Sequence, residues 1–221
     1  MIPSQLWPPF ELQLSTPRLR LRVIRDDDLP AMVDAALSGI HPPEAMPFSH
    51  PWTQAPAAEL PTNTAQHVWR ARAGMSKDHW SLQLGVWHED EFIGCQDLGA
   101  NNFHTLKTVV TGSWLRQSAQ GRGLGKEMRS AALSYAFDYL GADVAESEAA
   151  SWNSASLGVS HSLGYTDNGI LRHSWIPDEL TQAQQLRLTP KAFVRPAWTL
   201  AVTGSEPTTA YLGITETKPA P

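Results

Sequence analysis

Apolar and charged positions alternate along Leu19-Arg20-Leu21-Arg22-Val23-Ile24, the two-residue period of a half-buried strand. Asp26-Asp27-Asp28 then caps a helix that carries Leu29, Met32, Val33 and Ala36 on one face. Residues 39–61, rich in Pro, His and aromatics, are too long for a tight connector and predict a structured loop on the substrate side. A helix through Val68, Trp69 and Arg72 follows, with Thr62 or Asn63 as its cap. Trp80–His88 and Glu91–Gly99 flank a polar turn and read as a hairpin. The β-branched run 107–115 predicts another strand, and 126–140 a helix with Met128, Ala131, Ala132, Tyr135, Ala136, Tyr139 and Leu140 at helical spacing. A strand at 144–151, a short helix at 154–163, and strands near 168–175 and at Gln184–Leu188 complete the regular pattern. From about residue 197 the tail has no clear period; Thr199–Val202 reads as an extra strand or a partner-swapping arm, and a disordered end is the third option.

Between the 107–115 strand and the long helix lies Gln120-Gly121-Arg122-Gly123-Leu124-Gly125-Lys126-Glu127-Met128-Arg129. Strand, glycine-rich turn and helix N-terminus form an anion-binding device: the first helical N–H groups have no partner in the helix, and the dipole favours negative charge. Glycines at 121, 123 and 125 let a phosphate approach the backbone. A Walker A loop is excluded, because Gln120 stands where its first Gly belongs and Glu127 replaces the magnesium-binding hydroxyl. A dinucleotide fingerprint fails at Lys126, which occupies the third glycine position. The Gln/Arg-x-x-Gly-x-Gly/Ala loop that binds the pyrophosphate of coenzyme A is matched by Gln120, Gly123 and Gly125. Taken alone, the same residues read equally as a glycine turn that starts a helix.

A second segment separates these readings. Asn153-Ser154-Ala155-Ser156 opens the short helix and Leu163-Gly164-Tyr165 closes it. The order of strand, phosphate loop, long helix, strand, Asn-x-x-Ser helix and Leu-Gly-Tyr resembles the GNAT superfamily of N-acetyltransferases. Ser15-Thr16-Pro17-Arg18-Leu19-Arg20-Leu21-Arg22 and the strand end Gly112-Ser113-Trp114-Leu115 are similar to the branch that acetylates ribosomal-protein N-termini. Met46–Thr53, Leu60–Thr64 and Asp78–Leu82 further resemble an actinobacterial group with succinyl-CoA-binding members. The resemblance covers roughly residues 12–195 and implies one α/β domain over 1–221, with 197–221 as an extension. The implied architecture is a mixed, mostly antiparallel central sheet of about seven strands flanked by helices. Acetyl-CoA or succinyl-CoA is the implied donor, and a primary amine of a small molecule or peptide the acceptor. A CoA-binding regulatory domain without chemistry is the remaining alternative.

Composition narrows the picture. Seventeen Lys plus Arg against 22 Asp plus Glu give a net charge of −5, which disfavours nucleic acid and tolerates a cationic substrate. Without an apolar run near twenty residues or a cationic leader, the expectation is a cytoplasmic protein that does not engage membranes; a homodimer is compatible. The lone Cys95 excludes an internal disulfide framework and reads as a small packing residue. His50, His67, His79, His104 and His161 show no metal-ligand spacing, so no metal is expected.

Acyl transfer from a thioester to an amine requires a held nucleotide, a deprotonated amine, a stabilised oxyanion and a leaving thiolate. Holding falls to the amides from Gln120 to Lys126, with Arg122 and Lys126 adding charge or serving only as solvated cations. By resemblance, the pantetheine arm runs along the backbone of Ser113, Trp114 and Leu115, and Asn153 binds it. Glu146 and Glu148, two apart on one strand, project from the same face. Glu148 is the favoured base or amine anchor with Glu146 supporting it, although both also read as solvated acids; Asp97 is a weaker candidate. Many GNAT relatives place a Tyr seven residues after the motif Asn, where this chain has Ser160; Ser156 takes its place as acid or sulfur-binding candidate. Phe48, His50 and Trp52 should overhang the acceptor as an aromatic wall.

Overall fold

The computed structural model describes residues 3–175 and 179–215. A short N-terminal helix α1 (Pro3–Leu6) precedes β1 (Gln13–Ser15) and β2 (Leu19–Val23). Helices α2 (Leu29–Leu37) and α3 (Leu60–Ala73) bracket the long loop, and the hairpin β3 (His79–His88) and β4 (Glu91–Asn101) follows. One turn of helix, α4 (Phe103–Leu106), leads to β5 (Thr108–Leu115), α5 (Leu124–Asp138), β6 (Val144–Ala150) and α6 (Ser154–Ser162). Then come β7 (Thr166–His173), β8 (Thr181–Leu188), β9 (Ala201–Thr203) and α7 (Ser205–Leu212).

The strands form one sheet in the order β7-β8-β6-β5-β4-β3-β2-β1-β9, antiparallel throughout except for the parallel β5–β6 pair. Mixed and mostly antiparallel is the expected class. The two strands beyond the expected seven are β1 and β9, three residues each, too short to leave a periodic signal. Helices cover both faces. Met128, Ala131 and Tyr135 of α5 pack with Leu82, Leu84, Leu98 and Val109 in the larger core. On the other face Leu29, Met32 and Ala35 of α2 and Val68 of α3 meet Trp87, Phe92 and Cys95. Even-numbered β3 residues therefore point to α5, and odd-numbered ones to α2 and α3.

Several boundaries differ from the sequence reading. Helix α3 starts at Leu60 with Pro61 in its first turn, so neither Thr62 nor Asn63 is its cap; proline is favoured there because its missing N–H is not needed. Helix α5 begins at Leu124, two residues early, because Gly123 in the left-handed region (φ +77°) ends the loop there. Strand β8 starts at Thr181, three residues before Gln184, because its polar residues pair with both β6 and β7. The tail does form a strand, at 201–203, paired with β1 of its own chain, and continues into α7, which buries Thr208, Thr209 and Leu212. Residues 216–221 lie outside the described residues. No helix among the described residues is long and apolar enough to cross a membrane.

The close approach of β4 to β5 has a steric signature. A Cβ on Gly94 would fall 2.1 Å from the Trp114 carbonyl oxygen, whereas one on Gly112 would meet only Asp97 Oδ2, at 4.0 Å. Gly94→Ala is expected to destabilise the protein by about 1–3 kcal/mol, and Gly112→Ala by much less, as read from urea-denaturation midpoints.

Candidate functional site

The decisive geometry is a parting of two strands. Parallel pairing of β5 with β6 runs from Thr108↔Val144 to Thr111↔Ser147 and stops. β5 stays paired with β4 as far as Leu115, and β6 with β8 as far as Ala150. Beyond Thr111 the β5 edge that faces β6, comprising Gly112, Ser113, Trp114 and Leu115, has no strand beside it. Buried backbone polar groups need partners, so this opening suits an extended ligand with amide groups of its own.

The glycine-rich loop continues from that edge. Gly121 and Gly123 adopt φ of +71° and +77°, which glycine reaches without penalty. No acceptor among the described residues takes the N–H groups of Gly121, Arg122, Gly123, Leu124, Gly125 or Lys126. Gln120 corrects the expectation: its N–H donates to the Gln117 carbonyl at 3.0 Å, so the free run starts at Gly121. Its side-chain amide donates to the carbonyls of Leu115 and Ile40, each at 2.7 Å, and closes the loop from behind. Arg122 and Lys126 are exposed; the Leu124 side chain is in the core.

A clamp holds the loop from outside. Glu127 is 7% exposed and accepts from Thr16 Oγ1 (2.6 Å), Arg18 N (3.1 Å) and Arg18 Nε (2.6 Å). The same guanidinium donates to the Arg122 carbonyl at 3.1 Å. A carboxylate in the first turns of α5 is favoured by the dipole as well as by its three donors. Sequence reasoning singled out Thr16-Pro17-Arg18 but missed this partner.

Arg129 was also missed. It is 5% exposed and spans the gap from α5: one amino group donates to Ser160 Oγ (2.7 Å), the other to Ser113 Oγ (2.9 Å). Nε is buried without a partner, and no carboxylate is paired with the group among the described residues. Desolvation lowers its pKa. Ser160 is fully buried and also donates to the Ser156 carbonyl, so position 160 is occupied by this network. An Arg on the apolar face of a helix, between Met128 and Ala131, was the available signal.

Asn153 caps α6, its Oδ1 accepting the Ser156 N–H at 3.1 Å. The Ser156 hydroxyl is partly exposed and has no hydrogen-bond partner among the described residues. Glu146 and Glu148 share the face of the sheet opposite α5. His173 Nε2 lies 3.2 Å from Glu148 Oε1 but is poorly aligned for a hydrogen bond, and Glu146 stands opposite Arg187 in the β6–β8 register.

Asp97 lies on that same face, opposite both Gln83 and Gly112. Burial pushes its carboxyl up to about 7. Gln83 donates to His67 Nε2 at 2.8 Å, and desolvation, then Arg70 and His50, lower the His67 pKa. Rings lead from the long loop to the sheet: Phe48 to Trp52 at 5.5 Å and Trp52 to Trp114 at 5.8 Å between centroids. His50 is exposed nearby. Cys95, beneath them, is buried, and desolvation followed by Asp97 raises its pKa well above the usual thiol range. Among the described residues no group of three His, Cys, Asp or Glu could hold a metal ion.

Comparison with known proteins adds the following. The family model of the acetyltransferase (GNAT) domain matches residues 18–166. The solved structure of Mycobacterium smegmatis RimJ in complex with CoA-disulfide superposes with TM-score 0.67 at 18% identity, covering 92% of this chain and 95% of that one. RimL, the ribosomal L7/L12 alpha-N-protein acetyltransferase in complex with coenzyme A, gives 0.60 at 16% identity over 80% of this chain and 97% of its own. The Salmonella typhimurium acetyltransferase that modifies the N-terminal serine of L7/L12 gives 0.61 at 16%, covering 79% and 96%. These likenesses show the fold.

The raised Asp97 carboxyl has a stability consequence. Between the unfolded pKa near 3.8 and the folded value of about 7, the folded state holds the extra proton, so stability falls as pH rises through that window. Asp97→Asn is therefore expected to match wild type in denaturation midpoint near pH 4 and to exceed it above pH 7, by at most about 4 kcal/mol.

Proposed function

We propose that this chain, which belongs to the acetyltransferase (GNAT) domain family, is an acyl-CoA-dependent N-acyltransferase acting on a primary amine of a peptide N-terminus or small molecule. The observation that carries the reading is the loss of β5–β6 pairing after Thr111↔Ser147, on the strand that leads into the free amides of Gly121–Lys126. The amides would take the diphosphate, and the open edge of Ser113, Trp114 and Leu115 would pair with the amide-bearing pantetheine arm. RimJ and RimL were both solved with coenzyme A groups, which supports that placement.

In the proposed step the ammonium first gives a proton to Glu148, directly or through water. The neutral nitrogen attacks the thioester carbonyl carbon, the C–N bond forms, and the C–S bond breaks with its electron pair leaving on sulfur. The amine's second proton is released, and the thiolate takes one up, giving amide and CoA thiol. Ser156, the half-exposed hydroxyl at the start of α6, is the assigned donor near sulfur, and Asn153 holds the arm through its remaining amide hydrogens. A backbone N–H near Trp114 is assigned to the oxyanion. Phe48, His50 and Trp52 supply the acceptor's aromatic wall, as the ring contacts to Trp114 support. A reducing cytoplasm suits the single buried thiol of Cys95.

One observation favours a second donor. Arg129 is a buried cation at the level of Ser113 without an anionic partner among the described residues, and such a charge is costly until an anion meets it. The terminal carboxylate of a succinyl group would supply that anion.

Isothermal titration tests the donor: acetyl-CoA should bind saturably, and a large preference for succinyl-CoA that disappears in Arg129→Met would replace acetyl by succinyl. No affinity for CoA or its thioesters would end the proposal. Glu148→Gln is expected to lower kcat by about 10²–10⁴ with acetyl-CoA affinity retained, measured by thiol release on an amine panel; full rate across pH would move the base elsewhere.

A further inference from the structure

Helix α6 is held by a polar tie rather than by an apolar face. Of its nine residues Ser160 alone is buried, and it is fully so. Leu157 and Val159 lean on the main core but stay partly exposed. Most short helices are located by the apolar stripe they bury, and α6 buries little of one. The contacts of the Ser160 hydroxyl therefore carry much of its placement.

Those contacts cross the parting of the strands. Ser160 Oγ donates to the Ser156 carbonyl at 3.1 Å and accepts from Arg129 Nη1 at 2.7 Å. Arg129 Nη2 donates to Ser113 Oγ at 2.9 Å. Ser113 lies two residues past the last β5–β6 pair, on a segment of β5 that pairing with β4 keeps in place as far as Leu115. A planar guanidinium fixes direction as well as distance to both hydroxyls, which a flexible ammonium does not. The result is a stiff link from β5 to the first turn of α6, where Ser156 donates its N–H to the Asn153 cap.

This link is costly to the folded state. Arg129 is 5% exposed, its two acceptors are neutral hydroxyls, and its Nε has no partner among the described residues. A buried cation met only by neutral groups is less favourable than an apolar side chain of similar size. Met128, Ala131 and Ala132 beside it in α5 are all buried, so an apolar residue would suit position 129. A local rule broken without a compensating gain in packing is the mark of a functional position.

We infer that Arg129 is a positioning residue, which locks the first turn of α6 to β5 and thereby sets where Ser156 stands at the opening. The mooring is a claim about α6 alone; its consequence for turnover rests on the acyltransferase reading of Ser156. A misplacement of about 1 Å at a reacting group costs up to about 10²-fold in rate, whereas the amides of Gly121–Lys126 do not depend on α6. The link therefore governs kcat more than acyl-CoA affinity. It also acts whatever the acyl group, which separates it from a role for Arg129 as partner of a succinyl carboxylate.

The full-length wild type, Arg129→Met and Arg129→Lys are compared by urea denaturation, amide hydrogen exchange and thiol release. Arg129→Met is expected to unfold at a midpoint no lower than wild type. Its amides over 154–162 should exchange at least about tenfold faster, the size of a lost hydrogen bond to a charged group. Its kcat with acetyl-CoA should fall by about 10–100-fold, with acetyl-CoA affinity by isothermal titration retained. Arg129→Lys keeps the cation but cannot fork to both serines, and should lose kcat likewise. Adding Ser160→Ala to Arg129→Met should lower kcat little further, because the link is already gone. Unchanged exchange over 154–162, or a lower midpoint with every segment exchanging faster, overturns the mooring. Unchanged kcat with acetyl-CoA, or a loss confined to succinyl-CoA, overturns the positioning role. A wild type that releases no thiol, while α6 still loosens in Arg129→Met, ends the acyltransferase reading and leaves the mooring standing.

Discussion

The structure depends on a ladder that stops. β5 and β6 share hydrogen bonds over four residue pairs and then part, each kept straight by its other neighbour, β4 or β8. An interrupted parallel pair in the middle of a sheet would ordinarily leave backbone groups without partners. Here the gap is edged by the glycine-rich loop at one end and spanned by the Arg129 guanidinium, which bridges Ser113 on β5 and Ser160 on α6.

What keeps the opening in shape is a set of polar contacts made by residues that do not themselves touch the gap. Glu127, tied to Thr16 and Arg18, anchors the first turns of α5 to the approach to β2. Gln120 ties the loop back to Leu115 and to Ile40 at the start of the long segment between α2 and α3. Through Ile40 the glycine-rich loop is tied to the segment that carries Phe48 and Trp52. The Glu127–Arg18 contact is charge-assisted with its carboxylate buried, whereas the Gln120 contacts are neutral bonds to two carbonyls.

Much of this was legible in the sequence where period or local chemistry carried it. The alternation from Leu19 to Ile24, the helical spacing after Lys126 and the glycines at 121 and 123 each specified local geometry, because strand pleat, helix face and left-handed turns are short-range constraints. Asn153 as a cap followed from the same logic, and so did the face shared by Glu146 and Glu148. Tertiary pairings were not legible. Glu127 finds Thr16 and Arg18 more than a hundred positions away, Arg129 bridges two serines on different elements, and Asp97 meets Gly112 only through register. Nothing within a window of sequence distinguishes Glu127 from any other acid in a first helical turn. Likewise β1, β9 and α7 depend on one another rather than on their own periodicity.

That last dependence bears on how the molecule is made. β9 lies against β1 although the two are about 190 positions apart, and Tyr211 of α7 rests on Trp7, their rings 5.0 Å apart. During synthesis, β1 waits with one flank bare until β9 has emerged, so this corner closes late. β5, the glycine-rich loop and β6 follow one another closely in the chain, and their pairing needs no such delay. The joint at this edge of the sheet therefore forms after the pairing at its centre.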